Sequence, residues 1–198
     1  ADATGWRRGR ESVPIGYFGA STGAAAALRA AASPGTDIGA ALHVWHEVLG
    51  KPRGFQMRHV YYGTEYDDAA IESALRDAGA EFDRVSDDEL IERTARELAD
   101  GKVVGWFQGR MEFGPRALGG RSILADPRDP KMRDTLNMKI KFREGFRPFA
   151  PSVLMDEAAE WFEIDCDSPY MLLVAQVREG RRTSPSVTHV DNSARLQT

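Results

Sequence analysis

Basic and aromatic side chains alternate in residues 139–151, which read Lys-Ile-Lys-Phe-Arg-Glu-Gly-Phe-Arg-Pro-Phe-Ala-Pro. The two prolines exclude a regular helix here and predict an extended loop that the phenylalanines anchor. Cations held with little conformational freedom suit the recognition of phosphate. The same pattern also suits single-stranded nucleic acid, whose bases stack on aromatic rings. The cations are Lys139, Lys141, Arg143 and Arg147.

A glycine-rich stretch, residues 114–122, precedes this loop and reads Gly-Pro-Arg-Ala-Leu-Gly-Gly-Arg-Ser. It is not a P-loop, because Gly120 and Arg121 stand where that motif requires lysine and then serine or threonine. A tight turn with surface arginines is one interpretation. The other is an anion site built from backbone amides and the guanidinium groups of Arg110, Arg116 and Arg121.

Two further groups of polar residues are weaker indications of a site. Residues 188–195 gather hydroxyl groups, a histidine, a carboxylate and an arginine, and taken alone they predict a turn. His43, His46 and Glu47 do not follow the order of a zinc-hydrolase motif and are expected on a helix surface. Since Cys166 is the single cysteine, a disulfide scaffold and a multi-cysteine zinc site are excluded. No metal site is predicted.

Charge is distributed unevenly along the chain, whose formal net charge is −4. Residues 101–150 carry eleven Lys or Arg against five Asp or Glu, a net of +6, whereas residues 51–100 carry seven against thirteen, a net of −6. The basic block is either a solvated face or a site for polyanions. The sequence shows neither a membrane span nor a signal peptide, so a cytoplasmic protein without membrane contact is predicted.

The elements that must position these residues alternate between helix and strand. Caps, apolar periodicity and glycine stops predict helices over residues 36–49, 67–78 and 86–100, followed by a strand over 102–108. Short helices near 130–138 and 156–162 and an apolar strand over 171–177 complete the pattern, which favours an α/β (α+β) fold. The expected buried stripe of the third helix consists of Leu90, Ile91, Ala95 and Leu98.

Four strings, in this order along the chain, resemble the O-carbamoyltransferases of the nodulation-protein and antibiotic-tailoring type. They are residues 105–128 (GWFQGRMEFGPRALGGRSILADPR), 142–151 (FREGFRPFAP), 168–173 (SPYMLL) and 188–197 (THVDNSARLQ). Residues 35–50 and 59–66 look like the end of that family's first domain. The resemblance therefore covers residues 33–198.

The resemblance implies two domains. Residues 1–65 would be the C-terminal remnant of an actin-like ATPase-type carbamoyl-transfer domain, and residues 66–84 a linker with a helix. Residues 85–198 would be a YrdC-like domain, a twisted open sheet with flanking helices, incomplete at its C-terminus. The chain is thus expected to be a middle section of a longer enzyme.

The resemblance also implies a reaction, in which carbamoyl phosphate and ATP, with Mg²⁺, form a carbamoyl-adenylate for O-carbamoylation of a small-molecule hydroxyl in natural-product or nodulation-factor biosynthesis. By this resemblance Lys141 and Arg147 would be catalytic. The substrate- and nucleotide-binding residues would be Arg116, Arg143, His189, Ser193 and Arg195. The family's iron site in the first domain would be incomplete, because Ser33 stands where the family has a metal-binding aspartate.

Two other functions stay open. YrdC-like domains also occur in tRNA modification, so the basic aromatic loop could belong to an RNA-binding module. The acidic block and the net charge of −4 weigh against nucleic acid as a partner and favour small-molecule substrates. The remaining alternative is an inactive truncated relic.

Overall fold

A computed structural model describes residues 36–54 and 57–198. The described residues divide into two compact units, one containing residues 36–54, 57–85 and 105–123, the other containing residues 86–104 and 124–198. Ser33, on which the expectation of an incomplete metal site rests, lies outside the described residues.

Both predicted helices of the first unit are confirmed. Helix α1 spans Thr36–His43 and continues as a π-helical turn over Val44–Val48, and Gly50 follows with φ of +59°. Helix α2 spans Asp68–Asp77, where the side chain of Asp67 accepts a hydrogen bond from the Ala70 amide (2.8 Å). Such a cap satisfies an amide that has no partner within the helix.

Residues 60–64 of the first unit pair with residues 111–113 through their backbones. The amide of Phe113 donates to the carbonyl of Val60 (2.7 Å), and the amide of Gly63 donates to the carbonyl of Met111 (3.0 Å). A Cβ atom on Gly63 would lie 2.8 Å from the Met111 carbonyl oxygen, so only glycine permits this approach. This pairing fixes the start of the glycine-rich stretch.

Helix α3 spans Asp87–Ala99, and the hydroxyl of Ser86 accepts a hydrogen bond from the Glu89 amide (3.3 Å), as the capping pattern predicts. Strands β1 (Val104–Phe107) and β2 (Arg121–Leu124) then pair in a two-stranded sheet. The predicted buried stripe of α3 is wrong: Leu90 and Ile91 are exposed, because no described residue covers them.

The hydrophobic core of the second unit lies around a small antiparallel sheet. Strand β3 (Val174–Gln176) pairs with strand β4 (Ser193–Arg195), with Ala175 opposite Ala194. Two segments extend this pairing, because Ser152 bridges Gln197 in parallel and Phe162 bridges Val177 antiparallel. The buried apolar side chains are Ala158, Phe162, Ala175, Val177, Ala194 and Leu196.

The remaining elements of the second unit are short. Helix α4 (Met132–Thr135) continues as a π-helical segment over Leu136–Lys141, and helix α5 (Ala158–Trp161) follows a 3-10 turn over Met155–Glu157. Further 3-10 turns span Glu179–Arg181 and Pro185–Val187. The predicted strand over 171–177 is shorter in the structure: Met171 has a left-handed backbone (φ +52°), and the paired strand begins at Val174, where β4 lies opposite.

Helices and small sheets are therefore mixed in this chain, consistent with the predicted α/β class. Within residues 36–54 and 57–198, none of the helices has the length and apolar character that a bilayer crossing requires.

Candidate anion-binding site

The predicted cationic loop, residues 139–151, begins at the end of the π-helical segment. Phe142 has a left-handed backbone (φ +51°) and stops that segment, and its amide donates to the carbonyl of Asn137. The amide of Arg147 donates to the carbonyl of Glu144 (3.2 Å), which forms a turn before the two prolines. Residues 147–150 beyond this turn have no regular secondary structure. The prediction of an extended loop is wrong for residues 139–141, which belong to the π-helical segment.

The phenylalanines of this loop do not all anchor it. Phe146 is 78% exposed and Phe142 is 54% exposed, whereas Phe149 is partly buried. The guanidinium carbon of Arg143 lies 4.8 Å from the centre of the Phe149 ring. Phe149 therefore supports the loop, and the prediction of anchoring is wrong for Phe142 and Phe146.

Asn137 holds the turn in the middle of the cationic loop. Its side chain is completely buried, and its amide nitrogen donates to the carbonyls of Gly145 (3.2 Å) and Arg147 (2.9 Å). Its Oδ1 atom accepts from Nε of Arg143 (2.6 Å). One neutral side chain thus connects two of the predicted cations.

The cations of the loop influence one another. Lys141 is exposed as a residue, yet partial removal of water from its ammonium lowers its pKa, and the positive charge of Arg143 lowers the pKa further. Nε of Arg147 lies 2.8 Å from Oε2 of Glu144, and both side chains are more than half exposed. A backbone hydrogen bond and the charges of Arg147 and Arg143 lower the pKa of Glu144, so its carboxylate is ionised at neutral pH.

The predicted turn at residues 188–195 is confirmed and leads into β4. The hydroxyl of Ser193 donates to Oδ1 of Asp191 (2.7 Å), and Nδ1 of His189 lies 3.5 Å from the same hydroxyl oxygen. These contacts with Ser193 lower the pKa of Asp191. The Nε2 atom of His189 is buried and makes no hydrogen bond to any described residue. Such a buried polar atom requires an explanation, and a ligand group is one.

Strand β4 places Ser193 and Arg195 on the face opposite the core residues Ala194 and Leu196, because side chains alternate along a strand. The backbone of Gln197 then pairs with the end of the cationic loop, since its amide donates to the carbonyl of Pro151 (3.0 Å). Residues 142–151 and 188–197, the second and fourth of the strings that resemble the family, are therefore joined through this sheet.

The glycine-rich turn, in the other unit, is organised by the buried carboxylate of Glu112. Its Oε1 atom accepts hydrogen bonds from the amides of Leu118 (2.6 Å), Gly120 (2.7 Å) and Arg121 (3.2 Å). The amide of Gly119 donates to the hydroxyl of Ser122 (3.0 Å). These amides bind the chain's own acceptors, so the prediction that they form a backbone anion site is wrong.

Arg121 has a structural role, contrary to the anion-site interpretation. It is 4% exposed, and its NH1 and NH2 groups donate to the backbone carbonyls of Gln108 (2.9 Å), Gly109 (3.0 Å) and Gly120 (2.8 Å). Its guanidinium carbon lies 3.4 Å from the centre of the Phe107 ring.

The other two arginines of this stretch differ. Nε of Arg110 lies 3.0 Å from a carboxylate oxygen of Glu65. Arg116 is partly buried and makes no hydrogen bond or ion pair with any residue that the structure describes. Of the three guanidinium groups proposed for an anion, that of Arg116 is the one left without a protein partner in this part of the chain.

The model of the family described as carbamoyltransferase C-terminus matches residues 95–198, slightly more than half of the chain. The chain belongs to this carbamoyltransferase family. The match includes the cationic loop, the turn before β4 and the glycine-rich stretch.

Two curated relatives match the chain, and the name of the second agrees with this assignment. Nodulation protein NolNO of Sinorhizobium fredii is 46% identical over 175 residues, which cover 85% of this chain and 26% of that protein. The 3'-hydroxymethylcephem-O-carbamoyltransferase of Amycolatopsis lactamdurans is 50% identical over 101 residues, 51% of this chain and 19% of that enzyme. The chain thus spans less than a third of the length of these relatives.

Sequence reasoning missed Asn137 and Glu112 in this carbamoyltransferase chain. Glu112 had a signal, because it is the one acidic residue among the glycines and arginines of residues 105–121. Asn137 had none, since it stands alone between the apolar residues Leu136 and Met138 and belongs to no recognisable motif. His43 ends helix α1 and His46 lies in the π-helical turn after it. Among the described residues no group of three His, Cys, Asp or Glu side chains could hold a metal ion.

Proposed function

We propose that this chain is part of an O-carbamoyltransferase that uses carbamoyl phosphate and ATP to form a carbamoyl-adenylate, from which a small-molecule hydroxyl receives the carbamoyl group. The observation that carries the proposal is the cationic loop, in which Asn137 connects Arg143 and Arg147, in a chain of the carbamoyltransferase family. The relatives' names support nodulation-factor or antibiotic biosynthesis as the setting.

The chemistry defines what the protein must bind. Carbamoyl phosphate and one water yield carbamate and inorganic phosphate. A carbamate oxygen then attacks the α-phosphorus of ATP, the bond to the β-phosphate breaks, and pyrophosphate leaves. Finally, the acceptor hydroxyl attacks the carbamoyl carbon, its proton is lost, and AMP leaves. Negative charge develops on phosphate oxygens in the transition states of the first two steps. Cations in fixed positions therefore stabilise these transition states.

The proposed roles follow from the environment of each residue. Lys141 and Arg147 contact the reacting phosphate groups, and Arg143, fixed by Asn137 and Phe149, orients the same anion. Arg116, which belongs to the other unit, is proposed separately as a substrate- or nucleotide-binding residue. Ser193 and Arg195 on β4 bind the substrate or nucleotide. The buried Nε2 atom of His189 gains a hydrogen-bond partner from that ligand.

Domain origins and cofactors belong to the same proposal. Residues 85–198 are assigned to a YrdC-like domain, and residues 1–65 to the remnant of an actin-like ATPase-type domain in a cytoplasmic enzyme. The described residues offer no three-ligand metal cluster. Magnesium is assigned to ATP, whose phosphates bind this ion.

Isothermal titration of the purified chain with carbamoyl phosphate, with and without a non-hydrolysable ATP analogue, tests the proposal. The double variant Lys141→Ala, Arg147→Ala is expected to weaken binding about a hundredfold, because a hydrogen bond to a charged group contributes about 1.5–3 kcal/mol.

A matched control variant removes the same number of positive charges from another part of the same unit. Lys102 and Arg128 are exposed and pair with Glu97 and Asp126, respectively. The variant Lys102→Ala, Arg128→Ala should therefore retain the affinity of the original chain. If a folded chain binds neither carbamoyl phosphate nor the ATP analogue, the proposal is wrong and the inactive relic is favoured.

The exposure of Phe142 and Phe146 supports RNA binding as a second function, because exposed rings beside cations can stack on bases. Phe146→Ala separates the two functions. Carbamoyl phosphate has no ring to stack, so its affinity should not change in this variant. An RNA-binding module would instead lose affinity for single-stranded RNA by about 1–3 kcal/mol for each lost stacking contact.

A further inference from the structure

We propose that Asn137 is a positioning residue for anion binding, which holds the cationic loop in its binding conformation without neutralising it. This inference rests on the proposed function, because it assigns a role in binding the same phosphate groups. Asn137 itself is completely buried and acts through Arg143 and Arg147.

The hydrogen bonds of Asn137 cover the whole turn of the loop. Its side-chain nitrogen donates to the carbonyls of Gly145 and Arg147, and Oδ1 accepts from Nε of Arg143. Its backbone carbonyl accepts from the amides of Phe142 and of Arg143 (3.0 Å). A single residue therefore fixes the loop at four successive points between residues 142 and 147.

The type of side chain matters as much as its position. Two donors and an acceptor are needed at once, and among short side chains only asparagine provides them. An aspartate would accept from Arg143, yet it would leave the carbonyls of Gly145 and Arg147 without donors. Its negative charge would also offset the positive potential that an anion requires. Glu112 is the opposite case. Its carboxylate accepts hydrogen bonds from the amides of the glycine-rich turn, and those amides do not have to attract an anion.

Holding these cations together opposes their mutual repulsion: the pKa of Lys141 is lowered first by partial burial and then by the positive charge of Arg143. A flexible loop would separate them and would have to order again for each anion. A loop ordered in advance avoids that loss of conformational entropy on binding. The π-helical segment that contains Asn137 supports the assignment, because such segments are frequent at functional sites.

The test compares Asn137→Ala and Asn137→Asp with the unchanged 198-residue chain, by isothermal titration with inorganic pyrophosphate and with carbamoyl phosphate. Both variants are expected to bind each anion at least tenfold more weakly. Asn137→Asp keeps the size of the side chain and its bond to Arg143, so it is the variant to use if Asn137→Ala does not fold.

The matched control is Ser186→Ala, which also removes a buried polar side chain of the same unit. The hydroxyl of Ser186 bonds to the carbonyl of Asp129 and the amide of Arg133, outside the cationic loop. This variant should lose stability but keep its anion affinity. Hydrogen exchange of the amides of residues 142–147 should accelerate in the Asn137 variants and not in Ser186→Ala.

A double-variant cycle separates positioning from general destabilisation. If Asn137 acts through Arg147, the loss of affinity in Asn137→Ala combined with Arg147→Ala should be smaller than the product of the two single losses. If the affinity losses of the two single variants multiply in the double variant, the inference is wrong although the proposed function stands. The same holds if the Asn137 variants bind anions as tightly as the original chain. An original chain that binds neither anion would overturn the proposed function, and the inference with it.

Discussion

Arg147 and Glu144 form an exposed ion pair, 2.8 Å apart, at the point where a phosphate is proposed to bind. An incoming anion must therefore replace the carboxylate of Glu144 or share Arg147 with it. Because exposed pairs contribute about 0.2–1 kcal/mol, this competition is mild. The pair keeps Arg147 oriented and still permits exchange for a ligand.

Neutralising Glu144 should strengthen anion binding. We expect Glu144→Gln to bind carbamoyl phosphate about two- to fivefold more tightly at neutral pH, which corresponds to the energy of an exposed ion pair. Isothermal titration measures the change. Glu163→Gln, which removes the same charge from an exposed residue of the same unit, is the control and should change little. Weaker binding by Glu144→Gln would show that Glu144 helps to hold the anion site together.

Lys141 should give anion binding a dependence on alkaline pH. Its pKa is lowered by partial burial and by Arg143, so it loses its proton at a lower pH than an ordinary lysine with a pKa of 10.5. Affinity should therefore fall as the pH rises toward 10.5. Sulfate is the suitable ligand for titration, because its charge does not change in this range.

Lys141→Arg should remove this dependence, since arginine remains charged above pH 12. Lys102→Arg, outside the loop, should keep the profile of the original chain. A profile that is flat before any substitution would mean that the ammonium of Lys141 does not contact the anion.

The residue types predicted where cations cluster along the chain, but they did not predict which groups each cation binds. Arg116 and Arg121 lie five positions apart in one glycine-rich stretch, and the sequence does not tell them apart. The structure does, because Arg121 is buried against backbone carbonyls whereas Arg116 has no partner among the described residues. Which arginine is buried depends on contacts with the carbonyls of residues 108 and 109, and local patterns do not encode such contacts.

At the scale of secondary-structure elements, the sequence was sufficient to predict where a helix begins if its capping side chain bonds within the first turn. Asp67 and Ser86 cap their helices as their sequences predict, because each bond joins residues three positions apart. The predicted strand over 171–177 depends instead on its partner. Val174–Gln176 has β4 opposite it and Val177 bridges Phe162, whereas residues 171–173 are irregular.

The turn that carries Arg116 should depend strongly on Glu112. Glu112→Ala leaves three buried amides without an acceptor, so the free energy of unfolding should fall by about 2–4 kcal/mol. Glu112→Gln keeps an amide oxygen that can accept these bonds and should cost about half as much. Urea unfolding measures both changes.

Glu81→Ala is the control for this loss, because Glu81 is an exposed acid of the same unit and should change stability by no more than about 0.5 kcal/mol. If Glu112→Ala were as stable as this control, the three hydrogen bonds to its carboxylate would not hold the turn.

At the scale of the whole molecule, the positive charge of the loop is local. The unit formed by residues 86–104 and 124–198 contains fourteen Lys or Arg and eighteen Asp or Glu, a net of −4. At physiological salt, charges act over about 8 Å. A small dianion therefore experiences mainly the cations that it contacts, whereas a long polyanion also experiences the surrounding acids.

This difference predicts selectivity by ligand size. At 150 mM salt we expect carbamoyl phosphate to bind, and single-stranded RNA to bind no more tightly than the 10⁻⁴–10⁻⁶ M that is typical of nonspecific complexes. Fluorescence anisotropy of a labelled oligonucleotide, with carbamoyl phosphate as competitor, measures both. Weak RNA binding should disappear when carbamoyl phosphate is added, because both ligands use Lys141 and Arg147. A tighter, salt-sensitive complex that carbamoyl phosphate does not displace would instead favour an RNA-binding module.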